Sequence, residues 1–235
     1  MLKIGCCGFP VRKERYFEKF SVVEIQCTFY NIPRNETLER WRKGSPEGFE
    51  FTLKAWQVIT HPCSSPTYRR MKDKFGKETN YGFFQSTAEV KEAMEKTLEA
   101  GKLLNASLII FQTPPSFHYT EENMQNLYNF FSQFKKDNLR FAIEWRGKWD
   151  TGKKREICKS LNLIHCVDPF RESSLYGDFQ YFRLHGIGGY SYRFRKDDLE
   201  KLLEKCKVKD TYCFFNNLSM WENAIKFSEM AIRYG

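Results

Sequence analysis

The chain has 235 residues, 41% of them hydrophobic and 17% aromatic, with 22 Phe, which is apolar mass enough for one sizeable core and excludes global disorder. No apolar run approaches the roughly 20 residues that a membrane span needs, and the opening MLKIGCCGF is too short and too quickly strand-like for a secretion signal. A formal net charge of +9 and a pI of about 9.1 favour an anionic partner, either nucleic acid or a small molecule bearing phosphate or carboxylate.

In chain order, short runs rich in Ile, Val, Phe, Leu, Tyr and Cys predict strands at 2–7, 22–27, 49–54, 107–112, 139–144, 162–167, 179–184 and 211–216. Helical patterns fall between most of them. NETLERWRKG (35–44) opens on Asn35 as N-cap and closes on Gly44. STAEVKEAMEKTLEAGKLL (86–104) is capped by Ser86 or Thr87, and TEENMQNLYNFFSQF (120–134) by Thr120 with Glu in its first turn. SMWENAIKFSEMAIRYG (219–235) is amphipathic to its end. Lys-rich runs such as KKDNLR (135–140) and KLLEKCKVKD (201–210) read as solvated helix faces.

Eight strands with mostly helical crossovers predict an α/β fold, a (β/α)8 TIM-type barrel forming one domain over 1–235. An open doubly wound sheet is the alternative, but GCCGFP (5–10) has the spacing of neither standard nucleotide fingerprint. Residues 55–85 form a long irregular insertion after the third strand, where a lid or binding loop is expected. Of the eight Cys, Cys6, Cys7, Cys27, Cys166 and Cys213 lie in strand-like runs. Without a CxxC pair they read as small buried thiols of a cytoplasmic protein, with Cys6 and Cys7 on opposite faces of their strand.

A barrel demands apolar residues on the outward strand faces, and polar ones inside and towards the carboxyl ends. In VVEIQCTFYNIP (22–33) Glu24, Gln26 and Thr28 share one face and Val23, Ile25 and Cys27 the other, with Tyr30 on the exit loop. FEFTLK (49–54) sends Phe49, Phe51 and Leu53 outward and Thr52 and Lys54 inward; SLIIFQ (107–112) ends on Gln112. LRFAIEWR (139–146) turns Glu144 and Arg146 inward, and YFRLHG (181–186) does so with Tyr181, Arg183 and His185. The sixth strand ends at Asp168 and the eighth at Asn216 and Asn217. Charges gathered this way must pair with each other or with a ligand.

Other candidates are weaker. His61 in ITHP is a rim donor or a packed residue; His118 reads as a loop histidine, His165 as a satisfied wall residue, and Trp149 as a pocket roof or a helix contact. Glu24, Glu144, Asp168, His61 and His185 are the possible ligands of a divalent metal, but each strand offers only one, so neither a metal nor another cofactor is expected. No GxSxG, HExxH or Walker sequence is present.

Taken in order, VEIQCTFYNIP (23–33), FEFTLKAWQVITHP (49–62), FQTPPSF (111–117), AIEWRGKW (142–149), YFRLHG (181–186) and FFNN with ENA (214–224) resemble the YecE-like family, also designated domain of unknown function seventy-two. The resemblance implies a TIM-type barrel. It also places Glu24, Thr28, Tyr30, Lys54, His61, Gln112, Glu144, Arg146, Arg183, His185 and Asn216 in the family's characteristic segments. Two departures stand out: GCCGFP (5–10) replaces an opening of the Gly-Thr-Ser-Gly-Trp type, and EWRGKW (144–149) replaces a Phe-Arg-His-Pro-type turn.

The leading functional expectation is an enzyme of hydrolase or lyase type acting on an anionic, phosphate-bearing small molecule at the barrel mouth. Glu24, Glu144 and His185 would carry the acid–base work, and Thr28, Tyr30, Lys54, His61, Gln112, Arg146, Arg183 and Asn216 would line the ligand. A nucleic-acid-binding or processing role, repair-nuclease-like or RNA- or tRNA-related, is the alternative, supported by the net charge and by YRRMKDKFGK (68–77); a multi-metal nuclease centre is hard to build from four His, which leaves a metal-independent RNA or tRNA role open. A non-catalytic ligand sensor is the third reading. Oligomeric state is not legible.

Overall fold

The computed structural model describes residues 1–134 and 139–234. Strands β1 (Leu2–Cys6), β2 (Val22–Ile25), β3 (Glu50–Lys54), β4 (Leu108–Gln112), β5 (Arg140–Glu144), β6 (Ile164–Val167), β7 (Gln180–Leu184) and β8 (Thr211–Phe215) are all parallel. They run in the order β1-β8-β7-β6-β5-β4-β3-β2, and the seam between β1 and β2 is closed by a single bridge between Cys7 and Glu24. The result is the single TIM-type barrel that the alternation predicts.

Helices α1 (Lys13–Phe17), α2 (Asn35–Lys43), α3 (Gln57–Thr60), α4 (Ala88–Leu104), α5 (Glu121–Ser132), α6 (Thr151–Ser160), α7 (Lys196–Cys206) and α8 (Met220–Tyr234) cover the outside. The β6–β7 crossover, residues 168–179, carries no helix. Thr87 and Thr120 cap α4 and α5 through their hydroxyls, accepting from Val90 N and Asn123 N. Asn35 is not the cap of α2: it is already helical, the cap position falls on Arg34, and the Asn35 amide reaches Glu99 on α4 at 2.7 Å instead. Of the Lys-rich run 135–140, residues 135–138 lie outside the described residues, while Arg140 opens β5 and pairs with Asp178. Gly235, the last residue of the predicted 219–235 helix, also lies outside them.

Alternation along the strands separates two apolar clusters. Phe51, Leu53, Phe141, Ile143, Phe182 and Leu184 pack outward against the helices, while Val22, Ile110, Ala142, Cys166, Tyr181 and Phe214 fill the lumen. Cys6 belongs to the first cluster and Cys7 to the second. Cys27 is exposed, contrary to expectation, because β2 stops at Ile25 and the chain turns through a 3-10 segment, Cys27–Phe29, before the alternation reaches it.

The β1–β2 seam depends on Gly5 and Tyr16. A Cβ on Gly5 would lie 2.5 Å from the Val22 carbonyl oxygen, so only glycine lets the two strands approach. Below that contact the Tyr16 hydroxyl accepts from Cys6 N at 2.8 Å and donates to the Val22 carbonyl at 2.9 Å. The amino-terminal end of the lumen is stoppered by Glu50, which pairs with Lys3 and accepts from Ser107 and from the Tyr212 hydroxyl at 2.5 Å.

Candidate active site at the carboxyl-terminal barrel mouth

Arg183 stands at the centre, directed inward from β7 with no solvent exposure. Its Nε donates to Glu24 Oε1 at 3.1 Å and its Nη2 approaches the same oxygen at 3.0 Å. Nη1 donates to Gln112 Oε1 at 2.9 Å and meets Glu144 Oε2; Nη2 also reaches Gln26 Oε1 at 3.3 Å. All three nitrogens are spent on protein acceptors, so Arg183 organises the lumen and has no donor left for a ligand. Burial opposes its charge, but Glu24 and Glu144 hold its pKa well above the ordinary arginine value.

Glu24 is equally enclosed. It takes the Tyr181 hydroxyl at 2.7 Å on Oε2, and the Cys7 thiol at 3.3 Å and the Gln26 amide on Oε1. Thr52 completes this layer, 2.8 Å from the Tyr181 hydroxyl. Burial and then Glu24 push the Cys7 thiol and the Tyr181 phenol well up, so neither ionises near neutral pH.

One layer higher, Glu144 Oε1 receives Arg146 Nη2 at 2.5 Å and lies 3.0 Å from His185 Nε2. Burial alone would raise the Glu144 pKa; Arg183, Arg146 and His185 beside it hold the carboxylate well below its usual range. The imidazole of His185 sits between Arg146 Nη2 at 2.6 Å and Asn216 Nδ2, which is 3.1 Å from Nδ1. Burial lowers its pKa; Glu144 pulls it up, and Arg183 and Arg146 push it down again. The backbone is fixed too: His185 N donates to Asp168 Oδ2 at 3.0 Å, and Gly186, at φ +93°, turns the chain out of the barrel immediately afterwards.

Lys54 differs from every other buried charge in the mouth. It is 6% exposed, and among the described residues its ammonium has no hydrogen-bond or ion-pair partner. It lies 3.6 Å from the centroid of the Phe29 ring. Burial first, then Arg183 and Arg146, lower its pKa to about 7 against the opposing pull of Glu144 and Glu24. Arg146 likewise keeps a donor in reserve, since its Nε is buried without a partner.

The remaining expected residues divide between the rim and its supports. His61 is buried on the Phe29 ring, with Nδ1 2.7 Å from the Thr60 hydroxyl; burial and then Lys54 drive its pKa down to about 3, so it is neutral. Thr28, expected to face the ligand, instead donates to the Lys54 carbonyl at 2.6 Å with no exposure, because the 3-10 turn rotates it into the wall. The Tyr30 ring lies under the Arg70 guanidinium at 4.7 Å and its carbonyl accepts from Trp56 Nε1. Gln112 and Asn216 act by holding Arg183 and His185. Asn217 pins the β7–α7 loop by donating to Tyr192 O at 2.6 Å.

Trp149 is a packing residue outside the barrel, bonded to Phe117 O at 2.6 Å, rather than a roof. His118 is an exposed loop residue accepting from Lys148 N. His165 is a wall residue whose Nδ1 accepts from Leu175 N, but its Nε2 is buried without a partner. Phe29, Tyr181 and Cys7 join the site without having been expected as site residues, and Asp168, considered only as a metal ligand, holds the His185 backbone. For Tyr181 the signal was available in its alternation with Arg183; for Phe29 it was not, because the turn that lifts the ring under Lys54 breaks the strand period. Among the described residues no three His, Cys, Asp or Glu side chains converge on a common point, since the carboxylates that face the lumen face guanidinium groups instead. A recess of about 590 Å3 lies away from this mouth, beside Met1, Leu203 and Ile232 at the amino-terminal end.

Fold and site together define a TIM-type barrel whose lumen is filled by an arginine-centred ion network and whose mouth holds one buried amine without an ion-pair partner among the described residues. The chain belongs to the family described as Protein of unknown function DUF72, which matches residues 12–233. It is 28% identical over 245 residues to UPF0759 protein YunF of Bacillus subtilis (strain 168), covering 88% of this chain and 80% of YunF. Among solved structures it is similar to a DUF72 family protein from Enterococcus faecalis V583, with a TM-score of 0.74, 22% identity and coverage of 100% and 97% of the two chains. More distant barrels share the fold alone. A xylose isomerase domain containing protein from Salmonella typhimurium LT2 has a TM-score of 0.60 at 11% identity, covering 98% and 95% of the two chains. Endonuclease IV from Thermus thermophilus has a TM-score of 0.54 at 10% identity, covering 99% and 98%. Among the described residues no helix is long and apolar enough to cross a membrane.

Proposed function

We propose that this protein is an enzyme of hydrolase or lyase type that takes an anionic, phosphate-bearing small molecule at the carboxyl-terminal mouth of the barrel. The observation that carries this reading is the unpaired amine of Lys54. Glu24 and Glu144 are taken up by Arg183 and Arg146, Asp168 is spent on the His185 backbone, and it is Lys54 that is left without a partner. A buried amine without a counter-ion is costly, and a ligand anion would offset that cost.

Access separates the roles. Arg183 and Glu24 have no exposure, whereas the side chains of His185 and Arg146 retain 13% and 25%. Arg146, the most open of these, and Lys54, the one without a partner, receive the anion, and His185 is the group placed to move a proton at it. Glu144, held ionised, orients His185 and Arg146 and does not act as an acid. Gln112 and Asn216 fix the two groups they touch. The test is mass spectrometry of what the purified chain carries from its cells, together with the same measurement on Arg146→Gln. Retention of a phosphate ester by the wild type alone supports the reading; an equal load on both chains counts against it.

A second reading, nucleic-acid binding, has one observation behind it. The insertion places exposed Arg69, Arg70 and Lys72 beside the mouth, with Arg70 stacked on Tyr30, and a cation–aromatic pair of that kind suits a backbone with a base beside it. Binding that weakens steeply between low and moderate salt supports it, and no binding at low salt removes it.

A further inference from the structure

We propose that Lys54 is an imine-forming nucleophile and that the mouth therefore takes a small phosphate-bearing aldehyde or ketone. This deepens the reading of the mouth as an anion site and rests on it.

The geometry is that of an amine held ready without a proton acceptor of its own. Lys54 ends β3, its strand pinned on one side to β2 and on the other to β4, where Ala55 N donates to Ile110 O at 2.9 Å. The Thr28 hydroxyl bonds its carbonyl, so the backbone that carries the amine is fixed from two directions. The side chain is enclosed, yet no carboxylate reaches the nitrogen, although Glu24 and Glu144 lie in the same lumen. Those two are engaged by Arg183 and Arg146. A lysine that served only to balance charge would be bonded to one of them.

The groups facing Lys54 are Glu24 from β2, Glu144 from β5, Arg183 from β7, Arg146 from the loop after β5, and His61 beyond α3. Burial and the two guanidinium groups outweigh the two carboxylates, and His61 stays neutral and adds no charge. The Phe29 face favours the charged form and moderates the effect. At pH 7 about half of the Lys54 side chains are free amine, on the order of a thousandfold more than at an ordinary lysine of pKa near 10.4. A desolvated amine beside other cations is the recognised setting for covalent catalysis through a Schiff base.

The step balances without an oxidant or reductant. The Nζ lone pair forms a bond to the carbonyl carbon, the C=O π pair moves to oxygen, and that oxygen leaves as water with the two amine protons. The product is a neutral imine that takes up one proton to become an iminium, with the phosphate of the ligand against Arg146.

The test uses the full chain with glycolaldehyde phosphate and sodium cyanoborohydride at pH 7, where hydride converts an imine to a stable secondary amine. One adduct per chain, mapped to Lys54 by peptide mass spectrometry and lost in Lys54→Arg, is the expected result, with a labelling rate that rises with pH about a midpoint near 7. Mapping on the wild-type chain needs no variant, so a misfolded Lys54→Arg would not blunt the experiment. Label spread evenly over exposed lysines overturns the proposal. Two controls separate it from the reading beneath it. Saturable binding of inorganic phosphate with Lys54 unlabelled removes the imine and leaves the anion site; equal labelling by unphosphorylated glycolaldehyde removes the anion site and leaves a reactive amine.

Discussion

Arg183 and Glu24 meet twice inside the barrel, through Nε at 3.1 Å and Nη2 at 3.0 Å, with neither side chain touching solvent. A buried pair of this kind contributes little net stability beside a well-packed apolar replacement, yet it is severe to break. Arg183→Met would leave Glu24 and Glu144 without their shared cation and should cost about 3–5 kcal/mol in urea unfolding at pH 7. Arg183→Lys should recover little, because an ammonium cannot reach Glu24, Glu144, Gln112 and Gln26 together as the guanidinium fork does. The double variant Glu24→Gln with Arg183→Met should be less unstable than Arg183→Met alone. Equal stability of wild type and Arg183→Met would show that the network carries no structural weight.

The amino-terminal stopper should behave oppositely with respect to function. Burial would raise the Glu50 pKa, but its bonds to Lys3, Ser107 and Tyr212 hold it below the usual carboxylate value. Glu50→Gln weakens a charge-assisted set and should lower stability by about 1–3 kcal/mol. Conservation of phosphate affinity in that variant is the expected companion result, since the bottom of such a barrel serves stability. Loss of binding there would contradict the division between the two ends.

Acid should destabilise the protein well before its carboxylates titrate. His61 and His165 both have folded pKa values near 3, lowered chiefly by burial, against about 6.5 unfolded. The unfolded chain therefore binds the extra protons: the contribution of the two histidines is full above pH 6.5 and is lost as pH drops towards 3. Within that window each histidine contributes about 1.4 kcal/mol per pH unit, and Glu144 adds its share only below about 4.3. Urea midpoints measured at pH 7, 6 and 5 should decline, and His165→Gln should flatten the decline. A midpoint unchanged from pH 7 to 5 would refute the assignment of two buried neutral histidines.

Lys54 is expected to be a stability burden. Its folded pKa of about 7 lies below the unfolded value near 10.4, so the folded chain binds fewer protons between those limits and gains stability as pH rises through them. At pH 7 Lys54→Met should be more stable than wild type by on the order of 1 kcal/mol, the loss of the Phe29 contact offsetting part of the gain. Its advantage should shrink as the pH approaches 10. A destabilised Lys54→Met at pH 7 would mean that the ammonium has protein partners after all.

How much of this was legible in the sequence follows from the period of the strands. Phe51 against Thr52, Phe141 against Glu144 and Phe182 against Arg183 alternate without interruption, and a parallel barrel turns that alternation directly into outside and lumen. The inward placement of Glu24, Lys54, Glu144 and Arg183 was therefore readable, as was the barrel itself. What was not readable is where the period stops. Ile25 ends β2, and the 3-10 turn behind it exposes Cys27, buries Thr28 in the wall and lifts Phe29 under Lys54. Nor does alternation say which carboxylate meets which cation. Arg183, expected at the ligand, is consumed by four side chains, and Lys54 is left alone. Those distances depend on side-chain length and on the curvature of the whole barrel, which no local window contains.

The unpaired Lys54, with Arg146 beside it, should make the mouth an anion site, and calorimetric titration with inorganic phosphate tests this most directly. Wild type should bind one phosphate per chain, and both Arg146→Gln and Lys54→Met should weaken binding at least tenfold, about 1.4 kcal/mol, while keeping the fold. Absence of saturable binding by the wild type, or unchanged affinity in both variants, would contradict it.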